Sequence, residues 1–483
     1  MKKNFNKLLI FLSFIGVLIL FYTKPSPAIS MLAVMAIMAL WWIFEVVPLS
    51  ITSLLPLILY PLLGIMSTKS IAPVYASSLI FLFIGSFFVA IAMQRWNLHR
   101  RIAIFIMSRM GGSPYQLLFG CMLSTAALSM WLSNTATTLM IFPIVLSLVA
   151  SFEQLDSKNS LVNNESNSLF YKLLLLSIAY SANIGGMGTL IGTPPNIVFS
   201  RIYSISFPNA PEVSFAYWMF VALPIVIALL LFVWGFFCFL MKKSNLSLNI
   251  SDKIFEEEKK SLGIMKPEEK KVMAVFLLMI VSWIFRKNFV VGSFVIPGWS
   301  SFLSQGSLID DGTVAIFCAV LLFILPSKKG SLLNKDAVMK IPWGIILLFG
   351  GGFALATGMK ESGLLHSLTS YLSVFQSFQD WQIVAGLVTF MSFLTEVTSN
   401  TSSTEIILPV LSSLSKATGI SPLLLMMSGT LAASTAFMLP SATMPNAIIL
   451  SSGKISIKEM MKIGFFINLF SIVIISVVTL FFI

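Results

Sequence analysis

Charged side chains are scarce in this sequence. Of its 483 residues, only 10% are Asp, Glu, Lys or Arg, whereas 57% are hydrophobic. Soluble domains carry about 25% charged residues, so the composition excludes a soluble enzyme, a disulfide scaffold and a disordered chain. It predicts an all-α membrane protein whose helices cross the bilayer many times.

Histidine and cysteine are nearly absent. The two histidines are His99 and His366, and the three cysteines, Cys121, Cys238 and Cys318, lie in apolar segments without a CxxC spacing. This inventory allows no Cys/His metal cluster, and we interpret the cysteines as small buried hydrophobic residues. Neither histidine lies near a polar cluster, and the sequence contains no HExxH motif. We therefore expect no enzyme active site.

Basic residues outnumber acidic ones and give a net charge of +12. In a soluble protein this excess would suggest a nucleic-acid partner. In a membrane protein, Lys and Arg collect on the cytoplasmic side. We therefore expect the lipid bilayer, and no nucleic acid, as a partner.

Eleven apolar segments are long enough to cross a bilayer, at about 20 residues per span. They lie near residues 8–23, 30–47, 49–65, 77–94, 172–200, 214–241, 272–286, 312–326, 343–360, 421–452 and 462–483. The first segment also has the features of a cleaved secretory signal, because three lysines precede its apolar run. We favour a retained first span, since the repeat described below favours retention.

Two further apolar regions, 114–150 and 375–415, are interrupted by polar residues near their middle. We interpret both as re-entrant hairpins, which enter and leave on the same side of the membrane. With a cytoplasmic amino terminus, these hairpins place nearly every basic cluster in the cytoplasm, whereas a full crossing at either region breaks the pattern. The sequence thus predicts a multi-pass protein of the inner (plasma) membrane with its carboxyl terminus outside.

The chain contains an internal repeat. LFIGSFFVAIAMQRWNL at 82–98 aligns with LFGGGFALATGMKESGL at 348–364, and the same offset of 266 residues aligns Ser-Asn-Thr at 133–135 with Ser-Asn-Thr at 399–401. A second motif repeats at an offset of 250, with GTPPN at 192 and ATMPN at 442. We attribute the difference in offset to a loop insertion at 153–168.

The repeat divides the chain into a first unit, 1–241, a charged cytoplasmic linker, 242–271, and a second unit, 272–483. Under the predicted topology the first hairpin opens to the cytoplasm and the second to the outside, so the two units are inverted. Inverted repeats with interrupted helices are typical of secondary transporters. A pseudo-symmetric channel is the alternative.

Small polar residues occupy the turn of each hairpin, with WLSNTATT at 131–138 and TSNTSST at 398–404. One interpretation is that Ser, Thr and Asn only cap the returning helix. The other is a binding site, because a turn at mid-membrane leaves free N–H groups and a helix dipole that attract an anion. Oxygens at the end of the preceding arm suit Na⁺. The duplication favours the binding site.

Glycine and proline interrupt two of the predicted spans, 172–200 and 421–452, at the GTPPN and ATMPN motifs. Proline removes a backbone donor and glycine permits unwinding, so both spans are predicted to be broken. No Lys or Arg lies within 114–150, 175–200, 391–415 or 421–452. An anion at this depth would then depend on helix ends, amides, hydroxyls and bound cations, which favours coupling to Na⁺.

Two acidic residues, Glu396 and Glu405, flank the second turn. Ionisable residues inside a membrane are expensive and often functional. A proton-coupling role is one interpretation, and structural pairing with hydroxyls and backbone is the one that we favour.

These motifs, together with WWIFEVVPL at 41–49, resemble those of the divalent-anion/sodium symporter family, the INDY-type bacterial dicarboxylate transporters. The resemblance runs from about residue 30 to the end of the chain. It implies a homodimer that works as an elevator, with a scaffold domain and a transport domain each drawn from both repeats. Phe44, Met444 and Glu405 depart from the family pattern, and Glu405 stands where the family commonly has a small residue or Thr.

The resemblance also implies the site residues. The substrate would bind to Ser133, Asn134, Thr135, Thr193, Ser399, Asn400, Thr401 and Thr443. One Na⁺ site would use Ser129, Ser133, Asn134 and Gly192. The other would use Thr395, Thr398, Asn400 and Ala442.

We therefore predict a secondary active transporter that imports divalent anions together with Na⁺, with C4-dicarboxylates such as succinate, fumarate and malate as the expected substrates. The alternatives are a sodium-independent dicarboxylate exchanger and a Na⁺-coupled carrier of citrate or sulfate. A passive anion channel and a membrane-embedded enzyme are disfavoured.

Overall fold

The computed structural model of the protein is almost entirely helical, which confirms the predicted fold class. It describes residues 2–110, 112–158, 164–242, 260–291, 294–328 and 330–483. Among these residues, eight helices are long and apolar enough to cross a membrane, and three further apolar helices are shorter. Most of the predicted linker, 243–259, lies outside the described residues.

The first half of the chain contains twelve helices within the described residues. They are α1 (Lys2–Thr23), α2 (Pro27–Phe44), α3 (Leu49–Thr52), α4 (Leu55–Leu62), α5 (Thr68–Ile71), α6 (Ser78–Arg95), α7 (Leu98–Met110), α8 (Pro114–Ser129), α9 (Asn134–Lys158), α10 (Asn164–Gly186), α11 (Pro194–Ser206) and α12 (Phe215–Lys242). A 3₁₀ turn, Ala72–Ala76, joins α5 to α6.

The second half contains ten helices within the described residues. They are α13 (Pro267–Ile284), α14 (Asp311–Ile324), α15 (Asp336–Met339), α16 (Trp343–Glu361), α17 (Leu364–Leu372), α18 (Asp380–Val397), α19 (Asn400–Thr418), α20 (Pro422–Ala432), α21 (Met444–Leu450) and α22 (Ile457–Phe482). Two small antiparallel hairpins lie in its connections, where Phe289–Val291 pairs with Phe294–Ile296 and Pro326–Ser327 with Gly330–Ser331.

Proline and glycine mark many of the helix boundaries. Proline stands in the first turn of α8, α11, α20 and α21, where the absent N–H removes no intrahelical hydrogen bond. At the other end of α19, Gly419 adopts the left-handed conformation (φ +79°) that ends helices at low steric cost. These signals set the lengths of the arms that carry the polar turns.

The two repeats meet through residues that the offset of 266 relates. Phe83 on α6 and Phe349 on α16 form a T-shaped aromatic pair with ring centroids 5.0 Å apart. Two related glycines allow helices to approach closely, because a Cβ on Gly85 would lie 2.5 Å from the carbonyl carbon of Ala315, and one on Gly351 would lie 2.4 Å from the Cβ of Ser53. Neither position can carry a side chain without moving its neighbour.

Several sequence predictions need correction. The proposed loop insertion at 153–168 is largely helical, because α9 continues to Lys158 and α10 already begins at Asn164. The short helices α7 and α17 were not predicted. The α7 segment carries His99, Arg100 and Arg101 in its first turn, so its low hydropathy hides it from a search for membrane spans.

Candidate functional site

The first hairpin turns between Ser129 and Asn134, and the turn gathers oxygen atoms. The hydroxyl oxygen of Ser129 lies 2.8 Å from Asn134 Oδ1 and 2.7 Å from the carbonyl oxygen of Ala182 on α10. Ser129 is completely buried. Its hydroxyl has one proton, so this cluster of three oxygens has more acceptors than donors, which is the composition that a hard cation prefers.

The same turn packs tightly against the end of α10. A Cβ on Gly186 would lie 2.4 Å from Asn134 Oδ1, so the Asn134 amide occupies the space that glycine leaves. The amide nitrogen of Asn134 also lies 3.4 Å from Oδ1 of Asn183, which precedes Gly186 on α10 by about one helical turn. The first turn is therefore held by the backbone and by one polar side chain of the broken helix.

The second hairpin turns between Val397 and Asn400 and is also rich in hydroxyls. Thr398 Oγ1 lies 2.7 Å from the carbonyl oxygen of Leu394 and 2.5 Å from the hydroxyl of Ser403. Thr395 donates to the carbonyl oxygen of Ala433 at 3.0 Å. Asn400 Oδ1 is buried and has no hydrogen-bond partner in the described part of the chain, so it is an acceptor free to take a ligand.

The two broken helices are closed in the same way. Asn196, in the first turn of α11, donates to the carbonyl oxygens of Gly186 (3.0 Å) and Thr189 (2.7 Å). Its counterpart Asn446 donates to the carbonyl oxygens of Ala436 (3.1 Å) and Leu439 (3.0 Å). The offset of 250 relates Asn196 to Asn446, Gly186 to Ala436 and Thr189 to Leu439. Each Asn amide thus satisfies carbonyls that the unwound segment leaves without helical partners.

The connections of the two breaks carry the predicted Gly192 and Ala442. The amide of Gly192 donates to Thr189 and that of Ala442 to Leu439, at 3.3 and 3.2 Å. A Cβ on Gly192 would lie 2.4 Å from the carbonyl oxygen of Gly186, whereas the second repeat accommodates alanine. The first break therefore leaves less space for a side chain at this position.

Asn183 joins the two halves of the site. Its amide nitrogen lies 3.2 Å from the carbonyl oxygen of Ala436 and 3.2 Å from the hydroxyl of Thr443, both in the second broken helix. Its Oδ1 faces Asn134 in the first hairpin. This single side chain therefore connects the first turn to the second break.

Glu396 closes the second break from the other side. Its carboxylate accepts hydrogen bonds from the backbone N–H groups of Phe437, Met438 and Leu439 at 2.8 to 3.1 Å, and from the Asn468 amide at 2.7 Å. The side chain is buried, and these donors surround it. The favoured interpretation of Glu396, structural pairing with the backbone, agrees with this geometry.

The structure brings together only part of the predicted set by direct contact. Ser129 contacts Asn134, Asn183 links that pair to Thr443, and Thr398 packs within its own turn. Ser133 accepts from the backbone N–H of Ala136 at 3.3 Å, which is the capping role of a serine at a helix start.

The remaining predicted residues make fewer side-chain contacts. Ser399 precedes α19 without a side-chain cap, and Thr401 is buried in its first turn. Within the described residues, no hydrogen bond joins Thr135, Thr193 or Thr401 to another predicted site residue. Their place in the site stays a prediction from their positions in the motifs.

Sequence reasoning missed the residues that the breaks contribute. Ala182 and Ala433 supply carbonyl oxygens, which no side-chain pattern reveals. Asn183 could have been found, because it is an amide within the apolar span 172–200 that lies outside the GTPPN motif, and an amide in such a span needs a partner. In the described residues no cluster of three or more His, Cys, Asp or Glu could hold a metal ion.

A cavity of about 210 Å³ reaches the first turn. It lies between α6, the first hairpin and the first break, and it is lined by Phe83, Ser86, Trp131, Ser133 and Ile191, with Gln94 and Lys340. Gln94 is at the end of α6 that the topology predicts to be cytoplasmic. The cavity therefore leads from that side to a predicted substrate residue.

Known proteins resemble this chain along nearly its whole length. A "Sodium-dependent dicarboxylate transporter SdcS" of Staphylococcus saprophyticus is 41% identical over 477 residues, which cover 97% of this chain and 89% of the relative. The protein of the same name from Staphylococcus aureus strain NCTC 8325 is 41% identical over 474 residues, which cover 97% and 88%.

Solved structures support the fold. Neisseria gonorrhoeae MtrF matches with a TM-score of 0.58 at 11% identity and 94% coverage of each chain. The Alcanivorax borkumensis YdaH transporter matches with a TM-score of 0.56 at 13% identity, covering 94% of this chain and 98% of that one. At these identities the likeness extends to the fold alone.

The family model described as "Sodium:sulfate symporter transmembrane region" matches residues 2–483. That match, the Staphylococcus relatives and the membrane-spanning helices agree with the motifs at both turns and both breaks. The chain is a multi-pass membrane protein, and it belongs to the divalent-anion/sodium symporter family.

Proposed function

We propose that this protein imports divalent anions together with Na⁺, and that its substrates are C4-dicarboxylates such as succinate, fumarate and malate. The observation that carries the proposal is the pair of hairpin turns, each packed against a broken helix and each with more oxygen acceptors than hydroxyl donors. The names of the Staphylococcus relatives support both Na⁺ and a dicarboxylate.

Na⁺ would bind where each hairpin meets a break. At the first turn it would bind oxygens of Ser129, Asn134 and Ala182. The Ser129 hydroxyl already lies within 3 Å of each of the other two oxygens. At the second turn it would take the hydroxyls of Thr395 and Thr398 with nearby carbonyls, and Asn400 Oδ1 offers an acceptor without a partner. These are hard oxygen ligands, as Na⁺ requires.

The dianion would bind between the turns. The free N–H groups at the starts of α9 and α19 carry partial positive charge that attracts carboxylates. Because no Lys or Arg lies in either turn or break, the bound Na⁺ ions would supply the remaining charge compensation. Binding of the anion without Na⁺ would leave an uncompensated charge at mid-membrane, and this penalty would couple the two fluxes.

We propose an elevator mechanism in which both hairpins and both broken helices move as one transport domain. Asn183 supports this unit, because it ties the first hairpin to the second break. The cavity at Ser133 supports a route for the substrate between the first turn and the predicted cytoplasmic side. A homodimer held by the scaffold, with the amino terminus in the cytoplasm and the carboxyl terminus outside, completes the proposal.

A carrier of sulfate is the second candidate, because the description of the matching family model names sulfate. Sulfate is a compact dianion, whereas a C4-dicarboxylate carries its two charges at separate ends. Competition by excess sulfate against labelled succinate distinguishes them.

The test is uptake of radiolabelled succinate into proteoliposomes, with an inward Na⁺ gradient or matched choline. We expect accumulation only with Na⁺, and loss of more than tenfold in Asn134→Ala and in Asn400→Ala. Ser177→Ala is the matched control, because that buried hydroxyl donates to Leu174 within its own helix, and its other partner, Cys121 Sγ at 3.8 Å, lies about two helical turns before Ser129.

Each other outcome has a defined meaning. Uptake without Na⁺ that requires internal dicarboxylate would make the protein an exchanger and contradict the Na⁺ sites. Sulfate uptake without succinate uptake would replace the substrate. Equal activity in both Asn variants and the control would remove the turns from the site.

A further inference from the structure

Glu405 is a completely buried acidic residue that the proposed Na⁺ and anion sites do not use. It lies on α19, more than one helical turn beyond Asn400, and its exposed fraction is zero. Neither carboxyl oxygen has a hydrogen-bond partner in the described part of the chain. Glu396, nine residues earlier, is by contrast surrounded by four N–H donors.

The Glu405 carboxyl occupies a notch in α16. A Cβ on Gly352 would lie 2.5 Å from the carboxyl carbon and 2.9 Å from Oε1 of Glu405. The glycine thus leaves the space in which the acid sits. Ser402, three residues earlier and on the same face of α19, also has a buried hydroxyl without a partner among the described residues.

Among the described residues, no cation pairs with the Glu405 carboxyl. Of the helices that pack against α19, α11 carries Arg201 and Tyr203, α16 carries Lys360 and Glu361, α17 carries His366 and Tyr371, and α18 carries Asp380 and Glu396. None of them is a hydrogen-bond or ion-pair partner of Glu405, since both of its oxygens lack partners.

The other charged and titratable neighbours do not neutralise the acid either. On α19 itself Lys416 is eleven residues away, or about 16 Å along the axis. Glu45 ends α2 near the predicted interface. Tyr75 is the titratable residue of the 3₁₀ turn Ala72–Ala76, and its hydroxyl donates to the carbonyl oxygen of Ser53 at 2.6 Å.

An ionised carboxylate without partners is strongly disfavoured in such a place. The neutral acid needs only the space that Gly352 provides. We propose that Glu405 binds a proton as part of the transport cycle. It takes H⁺ from external water while α19 is separated from α16, becomes a neutral carboxylic acid when the two helices pack together, and returns H⁺ to cytoplasmic water when they part on that side.

The proton would be a further coupling ion beside Na⁺, so this inference rests on the proposed function. In the elevator scheme α19 belongs to the moving domain and α16 to the scaffold. The packing of Glu405 against Gly352 is then made and broken in each cycle. Only the protonated form passes through the packed arrangement, and transport therefore depends on proton occupancy of this one side chain.

The experiment separates the two ions. Proteoliposomes are first assayed for Na⁺-driven succinate uptake at equal pH, which tests the proposed function alone. They are then given equal Na⁺ on both sides and an inward proton gradient, with pH 6 outside and pH 8 inside. We expect the wild type to accumulate succinate and Glu405→Gln, which mimics the neutral acid, to lose this accumulation at least tenfold while it keeps Na⁺-driven uptake.

Glu361→Gln, at an exposed position on α16, is the matched control and should respond to the proton gradient as the wild type does. Any effect of pH on succinate itself is shared by all three proteins. An internal pH dye supplies a second readout, in which the wild type carries one more proton per succinate than Glu405→Gln.

Three results overturn the proposal. The first is a wild type in which a proton gradient drives no accumulation, a measurement that needs no variant. The second is Glu405→Gln with unchanged proton-driven uptake. The third is loss of Na⁺ dependence in Glu405→Gln, which would assign a Na⁺ ion to Glu405. If Na⁺-driven uptake fails in the wild type, the proposed function fails first and separately.

Discussion

The two hairpins have nearly the same backbone plan but different chemistry around their turns. In the first hairpin the positions before and after the turn are Met130 and Leu139, and at the same offset the second hairpin has Glu396 and Glu405. Met130 packs its side chain on Gly188, whereas Glu396 binds backbone N–H groups. Leu139 is half-exposed, whereas Glu405 is completely buried.

The two broken helices also differ in the residues that hold the break together. The first break is glycine-rich and is closed by shape, because Gly186 and Gly192 leave no room for a side chain. The second has Ala436 and Ala442 at the related positions and is held by the Glu396 carboxylate instead. The two repeats thus reach similar geometry by different forces, steric packing in one and charge-assisted hydrogen bonds in the other.

The largest effect should come from exchanging glycine and alanine between the breaks. Gly186→Ala places a Cβ 2.4 Å from Asn134 Oδ1 and must displace that amide, so we expect Na⁺-driven uptake to fall about tenfold or more. The reciprocal Ala436→Gly removes a methyl group from the second break and should change uptake less than about threefold, since the small side chain leaves little cavity. Equal effects in this pair would show that the two breaks are not held differently.

The next effect concerns Glu396. Glu396→Gln keeps the size of the side chain but replaces an acceptor by a donor that faces backbone N–H groups. We expect the unfolding free energy in detergent to fall by about 2–3 kcal/mol, because hydrogen bonds to a charged group are lost. Met130→Leu in the first hairpin is the matched control and should cost less than about 1.5 kcal/mol. A thermal melt of both variants at one pH decides between a structural carboxylate and a dispensable one.

A smaller effect is expected at the connection between the halves. Asn183→Ala removes hydrogen bonds to Ala436 and Thr443 and the contact with Asn134. Only the contact with Asn134 reaches the first proposed Na⁺ site, and one neutral hydrogen bond is worth about 1 kcal/mol, so the Na⁺ concentration for half-maximal uptake should rise about fivefold. An unchanged Na⁺ response in this variant, with Ser177→Ala as the reference, would show that the first turn and the second break act independently.

The smallest effect is expected outside the membrane. The loops that follow α11 and α21 there form ion pairs between the two repeats. Glu212 after α11 pairs with Arg286 and Lys287, and Lys454 after α21 pairs with Glu153. Burial raises the pKa of Glu212, but the hydrogen bond from Lys287 and the charges of Arg286 and Lys287 outweigh it, so this pKa lies below its usual value.

A lowered pKa in the folded state gives a stability contribution that is complete above the unfolded value of about 4.3 and is lost as the pH falls through the folded value. Glu212 is half-exposed, so we expect Glu212→Gln to lower stability by less than about 1 kcal/mol at pH 7 and to have no effect near pH 2. A comparison of melts at the two pH values measures this difference. A variant as unstable at pH 2 as at pH 7 would contradict the ion-pair account.

Much of the fold could be predicted because apolar length is a local property. Spans such as 77–94 and 214–241 coincide closely with α6 and α12, since a helix in lipid must be long and apolar. The amphipathic helix α7 could not be predicted in this way, because its basic first turn lowers its hydropathy. The helical part of 153–168 was missed because polar composition was taken to mean a loop.

The parts of the candidate site that side chains form could be predicted from the sequence. The duplicated Ser-Asn-Thr and Asn motifs mark both turns and both breaks, and Asn196 and Asn446 occupy related positions. The carbonyl oxygens of Ala182 and Ala433 leave no such mark, because every residue has one and only the tertiary structure decides which carbonyls face the turn.

The sequence by itself determined that this is a helical membrane protein built from two related halves, because hydropathy and repetition are readable along one chain. It also placed the polar residues at the turns and breaks. Only the tertiary structure decided that Asn183 spans the halves, that Glu396 is fully bonded and that Glu405 is not. Two glutamates in similar apolar surroundings are alike in the sequence, and their difference arises from which backbone groups of distant segments fold against each of them.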